Sequence, residues 1–285
     1  MRAALLHSYA GAGRSGIFIR TGSAPVRPPT AIQSSPCRPA PCPGPGSTLG
    51  PHRVLQSCPS HYCLNLHLPV PVPLPVGVGK AAFGYRWRWS VYPWFAGRNP
   101  LPGIADDRLA IQLADFVSSL RRIDTLGLSP VGPLHSYRAE SIARRDLATR
   151  ASIAACDAAL TEAVWEKARR VTDYVGPPVW MHSDLHPGNI LVSGGRLSAV
   201  IDWGGLSLGD PAIDCLVAWT LLTPNTRHVF RAYVGVDEGT WKRGRAWALS
   251  IALVALPYYR DTNEQIMARA KHAIAQVVGD IVPEL

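Results

Sequence analysis

Two aspartates and an asparagine stand at a suggestive spacing in the middle of the chain. Asp184 lies in a polar loop, and Asn189 follows it five residues later. Asp202 ends the second apolar run after Asn189. A carboxylate beside a hydroxyl group accepts or orients its proton, and Mg²⁺ prefers oxygen ligands such as carboxylates and amides. Phosphoryl transfer from a nucleotide needs both kinds of group. The spacing therefore favours Asp184 at a reacting hydroxyl and Asn189 with Asp202 at Mg²⁺.

A predicted β-hairpin positions these side chains. After an apolar lead-in from Val179 and the polar loop, a short strand, the pair Gly194-Gly195 and a second strand ending at Asp202 follow in order. Two glycines between strand-like runs indicate a tight turn, because both turn positions need positive φ. Asp, Asn and Gly also cap ordinary turns, so the spacing alone is a weak signal. The aspartate at the strand end makes it more specific.

Helical patterns surround the hairpin. Helical periodicity in the segment Asp106 to Asp124 places apolar residues, among them Leu109, Leu113 and Phe116, on one face. The pattern predicts an amphipathic helix. Asp210 reads as a helix N-cap, and Asp214 as a first-turn residue, so both are interpreted as structural. Further helices are predicted over Ala151 to Thr172, Asp210 to Leu222, Trp241 to Leu256 and Glu264 to Val278. The expected fold class is α+β, a helical body with a hairpin set into it.

Charge divides the chain at Asp106. Ten Lys/Arg and no acid precede that residue, and 19 Lys/Arg and all 20 Asp/Glu lie from it onward. The early arginines are scattered among Pro, Gly and Ser, which argues against nucleic-acid binding. No apolar run reaches the roughly 20 residues that span a membrane, and no secretory signal is recognisable. We therefore expect a cytoplasmic protein that contacts neither nucleic acid nor membrane.

Residues 1–66 have a different character. They contain ten prolines, four cysteines and no acid, and they lack helical or strand periodicity. Two C-x4-C pairs loosely resemble a zinc ribbon, with unpaired thiols as the alternative. The residues concerned are Cys37, Cys42, Cys58 and Cys63, with His52 and His61 nearby. Two glycine-rich stretches, Gly11 to Gly16 and Gly77 to Lys80, lack the context of a dinucleotide site and of a P-loop.

The central segment resembles a known family. HSDLHPGNILV followed by AVIDWGGLSLGDPAIDCLVAW is similar to the catalytic loop and metal-binding segment of the aminoglycoside phosphotransferases, which are related to choline kinases and more distantly to protein kinases. YRWRWSVYPWFAG resembles the hinge strand of that family, and GRAWALSIALVALPYYRDTN resembles its terminal helices. The resemblance spans about residues 67 to 280.

The resemblance implies a protein-kinase-like fold and specific roles. Asp184 would be the catalytic base, and Asn189 and Asp202 would bind Mg²⁺. His182 would support the catalytic loop, although a purely structural histidine is the alternative. Backbone groups of the hinge would bind the adenine of ATP. The hinge residues are Tyr92, Pro93, Trp94 and Phe95.

The implied reaction is transfer of the γ-phosphate of ATP to a hydroxyl of a small molecule, which is aminoglycoside-like or another alcohol or sugar. Members of the family that bind aminoglycosides use acidic residues of the helical lobe. Four carboxylates are candidates for holding such a polycation, although surface acids are usually only solvated. They are Asp237, Glu238, Asp261 and Glu264.

The chain also departs from the family pattern. A kinase needs a Gly-rich flap, a phosphate-binding Lys and a Glu that pairs with it, and none can be placed in residues 1–66. We interpret residues 1–66 as a disordered or frame-shifted stretch replacing the N-terminal β lobe, residues 67–105 as a remnant of that lobe with the hinge, and residues 106–285 as the catalytic lobe. We expect poor ATP binding and impaired activity. The alternative is a catalytically inactive, kinase-like binding or scaffold protein.

Overall fold

A computed structural model describes residues 67–79, 89–131, 134–155 and 159–284, and the chain divides into two compact units. Of the described residues, 73–79 and 89–95 belong to the smaller unit, in which β1 (Gly77–Gly79) pairs antiparallel with β2 (Trp89–Val91). The larger unit contains residues 67–72 and those from Ala96 onward. The two cysteine pairs and the first glycine motif lie outside the described residues, and the domain boundaries at 66 and 105 stay predictions.

The predicted amphipathic helix is present as α1 (Asp107–Arg122). Asp106 caps it, since its Oδ1 accepts the backbone N–H groups of Arg108 and Leu109 at 2.9 and 3.3 Å. The apolar face is buried, and it packs on the strands and on a later helix of the same unit. Its buried large side chains are Leu109, Leu113, Phe116, Val117 and Leu120.

The prediction of one helix from Ala151 to Thr172 is wrong. Two helices, α2 (Asp146–Ala154) and α3 (Ala159–Ala168), replace the single helix expected over Ala151 to Thr172. The Nε1 of Trp165 donates to Oδ1 of Asp146 at 2.8 Å. In one continuous helix these residues would be about 28 Å apart along the axis, so the chain has to turn between them. This contact between distant residues, which periodicity does not report, is incompatible with one continuous helix.

The hairpin prediction is confirmed. β4 (Ile190–Ser193) and β5 (Arg196–Val200) pair antiparallel around the glycine pair, and Gly194 and Gly195 have φ values of 57° and 72°. A further antiparallel pair joins β3 (Val179–Met181) to β6 (Ser207–Gly209). The catalytic loop connects β3 to β4, so the two strand pairs fix both of its ends.

Helices complete the larger unit. Asp210 caps a 3₁₀ helix (Pro211–Leu216), accepting the Ala212 N–H at 3.0 Å, and α4 (Val217–Thr220) continues it. The predicted cap is therefore confirmed, although the first part of the predicted α-helix, Pro211–Leu216, is 3₁₀. α5 (Pro224–Val234) was not predicted, whereas α6 (Glu238–Tyr259) and α7 (Glu264–Ile281) extend the two predicted C-terminal helices. Within the described ranges, no helix is long and apolar enough to cross a membrane.

Close packing joins α6 to the 3₁₀ helix. A Cβ on Gly244 would lie 2.7 Å from the Cβ of Cys215 and 2.9 Å from the carbonyl oxygen of Ala212, so the backbones meet where only glycine fits. Cys215 is a free, buried thiol, and burial raises its pKa. Beside this contact, Arg243 donates to both oxygens of Asp210 at 2.6 and 3.2 Å. Their side chains are only 6% and 9% exposed.

This buried pair generates a prediction on stability. Removing one partner of a buried ion pair costs about 3–5 kcal/mol, because the other charge stays buried without compensation. We expect Arg243→Met to lower the free energy of unfolding, measured with urea, by that amount. The matched control is Arg231→Met, whose partner is Glu238 and whose pair is 42% and 55% exposed. An exposed pair contributes less than about 1 kcal/mol, so equal losses in the two variants would contradict the prediction.

Candidate active site

The catalytic loop (residues 182–189) begins with a buried histidine. His182 is fully buried, its Nε2 lies 3.1 Å from the carbonyl oxygen of Ile201, and its Nδ1 accepts the N–H of Asp184 at 3.3 Å. A carbonyl only accepts hydrogen bonds, so Nε2 bears the proton and Nδ1 is the acceptor. Burial lowers the pKa of His182 to about 4. The neutral imidazole therefore links the segment of Asp184 to the strand end that precedes Asp202.

A tryptophan covers the same imidazole. Trp203 meets His182 edge to face with ring centroids 5.0 Å apart, and meets Phe116 of α1 at 5.9 Å. Its Nε1 donates to the carbonyl of Val200 at 2.8 Å, which satisfies the indole within the core. Trp203 is 5% exposed. Its role is core packing.

A buried carboxylate binds the loop backbone. Asp214 accepts the N–H of His182 at 2.7 Å on Oδ2 and the N–H of Ser183 at 2.8 Å on Oδ1. The prediction of Asp214 as a first-turn residue therefore missed a second role. Its carboxylate anchors the backbone of the catalytic loop, whose bonded residues lie 31 and 32 positions earlier in the sequence. Burial raises the pKa of Asp214 to about 7, although both N–H donors favour the ionised form. Sequence periodicity contains no signal for this long-range role.

Two more contacts fix the loop conformation. Ser183 has φ of 62°, and its hydroxyl donates to the carbonyl of Gly205 at 2.5 Å. A Cβ on Gly205 would lie 2.6 Å from that hydroxyl oxygen and 3.0 Å from the carbonyl of His182, so the close approach requires glycine. On the other side, the Asn99 amide donates to the carbonyls of Gly188 and Ile190 at 2.8 and 2.9 Å.

The two oxygens of Asp184 have different surroundings. Oδ1 accepts a hydrogen bond from Nη1 of Arg138, which also donates to the Ser183 carbonyl at 2.6 Å, and Nε2 of His186 lies 3.7 Å from the same Oδ1. No described residue donates to Oδ2. Burial alone would raise the pKa of Asp184, but the charges of Arg138 and His186 outweigh it and lower that pKa. Asp184 is thus ionised with one oxygen available.

Asn189 and Asp202 present the oxygens that a hard cation needs. The Asn189 amide nitrogen donates to the carbonyl of Asp184 at 2.9 Å, which leaves its Oδ1 free as a ligand. Asp202 is exposed, and within the described ranges its carboxylate has no hydrogen bond or ion pair. Mg²⁺ is typically bound by one or two protein groups together with phosphates and water. The donor set fits Mg²⁺, and no group of three or more His, Cys, Asp or Glu in the described residues would form a larger metal site.

The remaining predicted residues lie elsewhere or have other partners. The four hinge residues follow β2 in the smaller unit, where Trp94 is 62% exposed, and their role toward adenine stays a prediction. Asp237 caps α6 through Thr240 at 2.7 Å, and Glu238 pairs with Arg231 and Lys242. These two carboxylates are committed to the helix start. Asp261 and Glu264 lie exposed at the start of α7.

The Asp214 anchor generates a prediction on pH. An unfolded aspartate releases its proton at about pH 4, whereas Asp214 in the folded chain has a pKa of about 7. Between these values the folded state binds more protons, so this group makes folding less favourable as the pH rises. We expect the stability advantage of the wild type over Asp214→Asn, measured by urea unfolding, to be largest near pH 4 and to shrink toward pH 7.

The control for this prediction is Asp115→Asn, since Asp115 is an exposed residue of α1. Its difference from the wild type should stay within about 0.5 kcal/mol, as for surface substitutions in general, and should not change across the same pH range. Parallel pH profiles for the wild type and Asp214→Asn would contradict the raised pKa of Asp214.

Comparison with known proteins gives the site its context. A sequence model of the phosphotransferase enzyme family matches residues 63–247. The fold is similar to the GDP and kanamycin complex of APH(2″)-IIIa, at 21% identity and a TM-score of 0.55 over 79% of this chain and 80% of that chain. It is also similar to the GDP complex of wild-type aminoglycoside 2′-phosphotransferase-IIIa, at 18% identity and a TM-score of 0.55 over 77% and 79% of the two chains.

A third similar structure is the ADP and spectinomycin complex of spectinomycin phosphotransferase APH(9)-Ia, at 16% identity and a TM-score of 0.51 over 77% and 82% of the two chains. No curated protein sequence matches the chain. The family match covers more than half of the sequence, and the solved structures confirm the predicted kinase-like α+β fold. The chain therefore belongs to the phosphotransferase enzyme family.

Proposed function

We propose that the protein transfers the γ-phosphoryl group of ATP to a hydroxyl group of a small molecule. The observation that supports this most strongly is the state of Asp184. Its Oδ1 is occupied by Arg138 and approached by His186, and no described residue donates to its Oδ2. An ionised carboxylate with one free oxygen is suited to accept a hydrogen bond from an attacking hydroxyl.

In the proposed reaction, the acceptor oxygen attacks the γ-phosphorus while the bond from that phosphorus to the bridging oxygen breaks. ADP leaves, and the hydroxyl proton passes to Oδ2 of Asp184. Because the transition state of phosphoryl transfer is loose, orientation of the hydroxyl contributes more than strong basicity. The lowered pKa of Asp184 is compatible with that role. His182 and Asp214 act through the backbone, since both hold the loop that positions Asp184.

Asn189 and Asp202 are proposed to hold Mg²⁺ with the nucleotide phosphates. When bound, the ion offsets the negative charge of these phosphates. Asn189 suits this role because its amide nitrogen is already hydrogen-bonded to the loop, which fixes the direction of its oxygen. Asp202 contributes a free carboxylate directly after β5.

The similar structures limit the acceptor only to a broad class. One of these proteins was crystallised with kanamycin and one with spectinomycin, and the bound nucleotides are GDP and ADP. For this chain we accordingly propose ATP as donor and an aminoglycoside-like compound, or another alcohol or sugar, as acceptor.

The first prediction concerns the base. Replacing a positioned acid–base group costs about 10²–10⁴-fold in rate, so Asp184→Asn should lower Mg²⁺-dependent ATP turnover by a factor in that range, measured as ADP release. Asp261→Asn, at an exposed position, should leave turnover unchanged. If Asp184→Asn retained full turnover, the proposed reaction would be wrong. If the wild type bound nucleotide without turnover, the kinase-like binding protein would be the better description.

The second prediction concerns the metal. Asp202→Asn removes one negative ligand, so it should raise the Mg²⁺ concentration needed for half-maximal turnover at saturating ATP. The expected increase is at least about tenfold, the lower end of what is lost when a group behind a metal ligand is removed. The measurement is a Mg²⁺ titration of turnover for the wild type, Asp202→Asn and Asp261→Asn. An unchanged Mg²⁺ requirement in Asp202→Asn would exclude Asp202 as a ligand.

A further inference from the structure

Three arginines gather beside the catalytic loop with few carboxylates to balance them. Arg138 pairs with Asp184, whereas Arg145 and Arg269 have no carboxylate partner among the described residues. Glu140 pairs with His135 and Arg144. We call Arg138, Arg145 and Arg269 the arginine cluster. Asp184 and Asp202 supply negative charge at the same loop, and within the described ranges only Arg138 of the cluster is paired with a carboxylate.

Arg138 has hydrogen-bonding capacity to spare. Its Nε donates to the hydroxyl of Tyr137 at 2.8 Å, and its Nη1 donates to Asp184 and to the Ser183 carbonyl. No described residue accepts from Nη2. A guanidinium is a planar fork that binds carboxylate or phosphate with two parallel hydrogen bonds. Since Nη1 already contacts the base, a group bound at Nη2 would lie beside the reacting hydroxyl.

Arg145 is held next to Arg138 in spite of their like charges. Both guanidinium groups lie over the ring of Tyr137, with centroid distances of 5.4 and 5.5 Å. Burial lowers the pKa of Arg145, and the charge of Arg138 lowers it further. Two neighbouring cations repel each other unless an anion lies near both. Glu140 is the carboxylate whose charge acts on Arg145, and it also pairs with His135 and Arg144.

Arg269 reaches the loop from α7. A Cβ on Gly188 would lie 2.6 Å from Nη1 of Arg269 and 2.7 Å from Cε1 of His186, so the guanidinium packs against the tip of the loop. Both Arg138 and Arg269 lower the pKa of His186, after the larger effect of burial. The charges of both arginines therefore act on the imidazole of His186, whose Nε2 lies 3.7 Å from Oδ1 of Asp184.

We propose that the acceptor bears an anionic group, a carboxylate or a phosphate, that the arginine cluster binds. The inference rests on the proposed phosphoryl transfer at Asp184. Arg138 and Arg269 would contact the anion, and Arg145 would add charge behind them. An anionic acceptor is repelled by the nucleotide phosphates, and the cluster offsets that repulsion. A polycationic acceptor would meet the same cluster unfavourably, and two of the four carboxylates considered for it serve the start of α6.

One alternative is that the cluster binds the γ-phosphate instead of the acceptor. The two cases differ in their selectivity. Loss of an arginine that binds the γ-phosphate slows the reaction for every acceptor and for water, whereas loss of one that binds the acceptor slows it only for anionic acceptors. Intrinsic ATP hydrolysis, measured without acceptor, therefore reports on the phosphoryl-transfer machinery independently of acceptor charge.

The experiment compares four acceptors on one sugar scaffold: glucose, glucosamine, glucuronate and glucose 6-phosphate. Turnover is measured as ADP release by the full chain with Mg²⁺ and ATP, and binding is measured by calorimetry with Mg²⁺ and ADP present. We expect glucuronate or glucose 6-phosphate to exceed glucose by about tenfold or more, as a charge-assisted hydrogen bond allows, and glucosamine to be the poorest. The two anions distinguish a carboxylate site from a phosphate site.

The variants are Arg269→Met and Arg269→Lys, with Arg144→Met as the matched control. Arg144 is an arginine of the 3₁₀ helix Ile142–Arg145 and is 73% exposed, so its loss changes the net charge equally. Arg269→Met should abolish the preference for the anion, Arg269→Lys should restore part of it, and Arg144→Met should leave it unchanged. Intrinsic hydrolysis is measured for every variant, so that the loss of turnover with the anionic acceptors is expressed relative to the hydrolysis of the same variant. Arg144→Met should change neither quantity.

Several results would overturn the inference while the proposed function stands. They are a preference for glucose or glucosamine, equal effects of Arg269→Met and Arg144→Met, or a uniform loss that includes intrinsic hydrolysis. If no Asp184-dependent hydrolysis occurs, the proposed function fails. The calorimetric comparison then decides by itself whether the arginine cluster binds anions. Tighter binding of the anions that Arg269→Met removes would support an anion site, and equal or undetectable binding of the anions would refute it.

Discussion

The active-site geometry depends on the hydrogen bonds that the buried carboxylate of Asp214 accepts from the catalytic loop. It binds the N–H groups of His182 and Ser183, and Ser183 has a φ of 62°. A non-glycine residue in such a backbone region costs about 1–3 kcal/mol. The two hydrogen bonds and the contact of Ser183 with Gly205 offset that cost. Because Asp214 lies in the helical body, the helices set the backbone of Asp184 before any ligand binds.

His182 extends this constraint to the proposed metal ligand. One ring nitrogen contacts Ile201, directly before Asp202, and the other contacts the N–H of Asp184. A neutral imidazole provides one donor and one acceptor, which is what these two backbone groups require. Burial lowers the pKa of His182 to about 4, so the ring stays neutral at pH 7. The proposed base and the proposed metal ligand are therefore connected through one side chain rather than by the hairpin alone.

The sequence predicts elements whose signals lie within a few residues, and it misses contacts between residues that are far apart in the chain. The hairpin follows from Gly194 and Gly195, and α1 follows from its apolar periodicity, because these signals lie within a few residues. The break between α2 and α3 depends on a contact between Asp146 and Trp165, and the loop anchor depends on Asp214. Arg138 is 46 positions from Asp184. Arginines of this kind have no spacing rule, so their position becomes visible only when the chain is folded.

The arginines around Asp184 are at first sight unfavourable for catalysis, because a carboxylate with a lowered pKa is a weak base. Phosphoryl transfer tolerates this, since its loose transition state places most of the charge on the transferred group and its oxygens. The acceptor hydroxyl has to be oriented before the transition state of phosphoryl transfer, and it loses its proton only late in the reaction. A weak but ionised Asp184 meets that need, while the positive charge next to it stabilises negative charge that develops nearby. In the proposed reaction, charge compensation thus outweighs basicity, and Arg138, which lowers the pKa of Asp184, also belongs to the cluster proposed to bind a negatively charged acceptor.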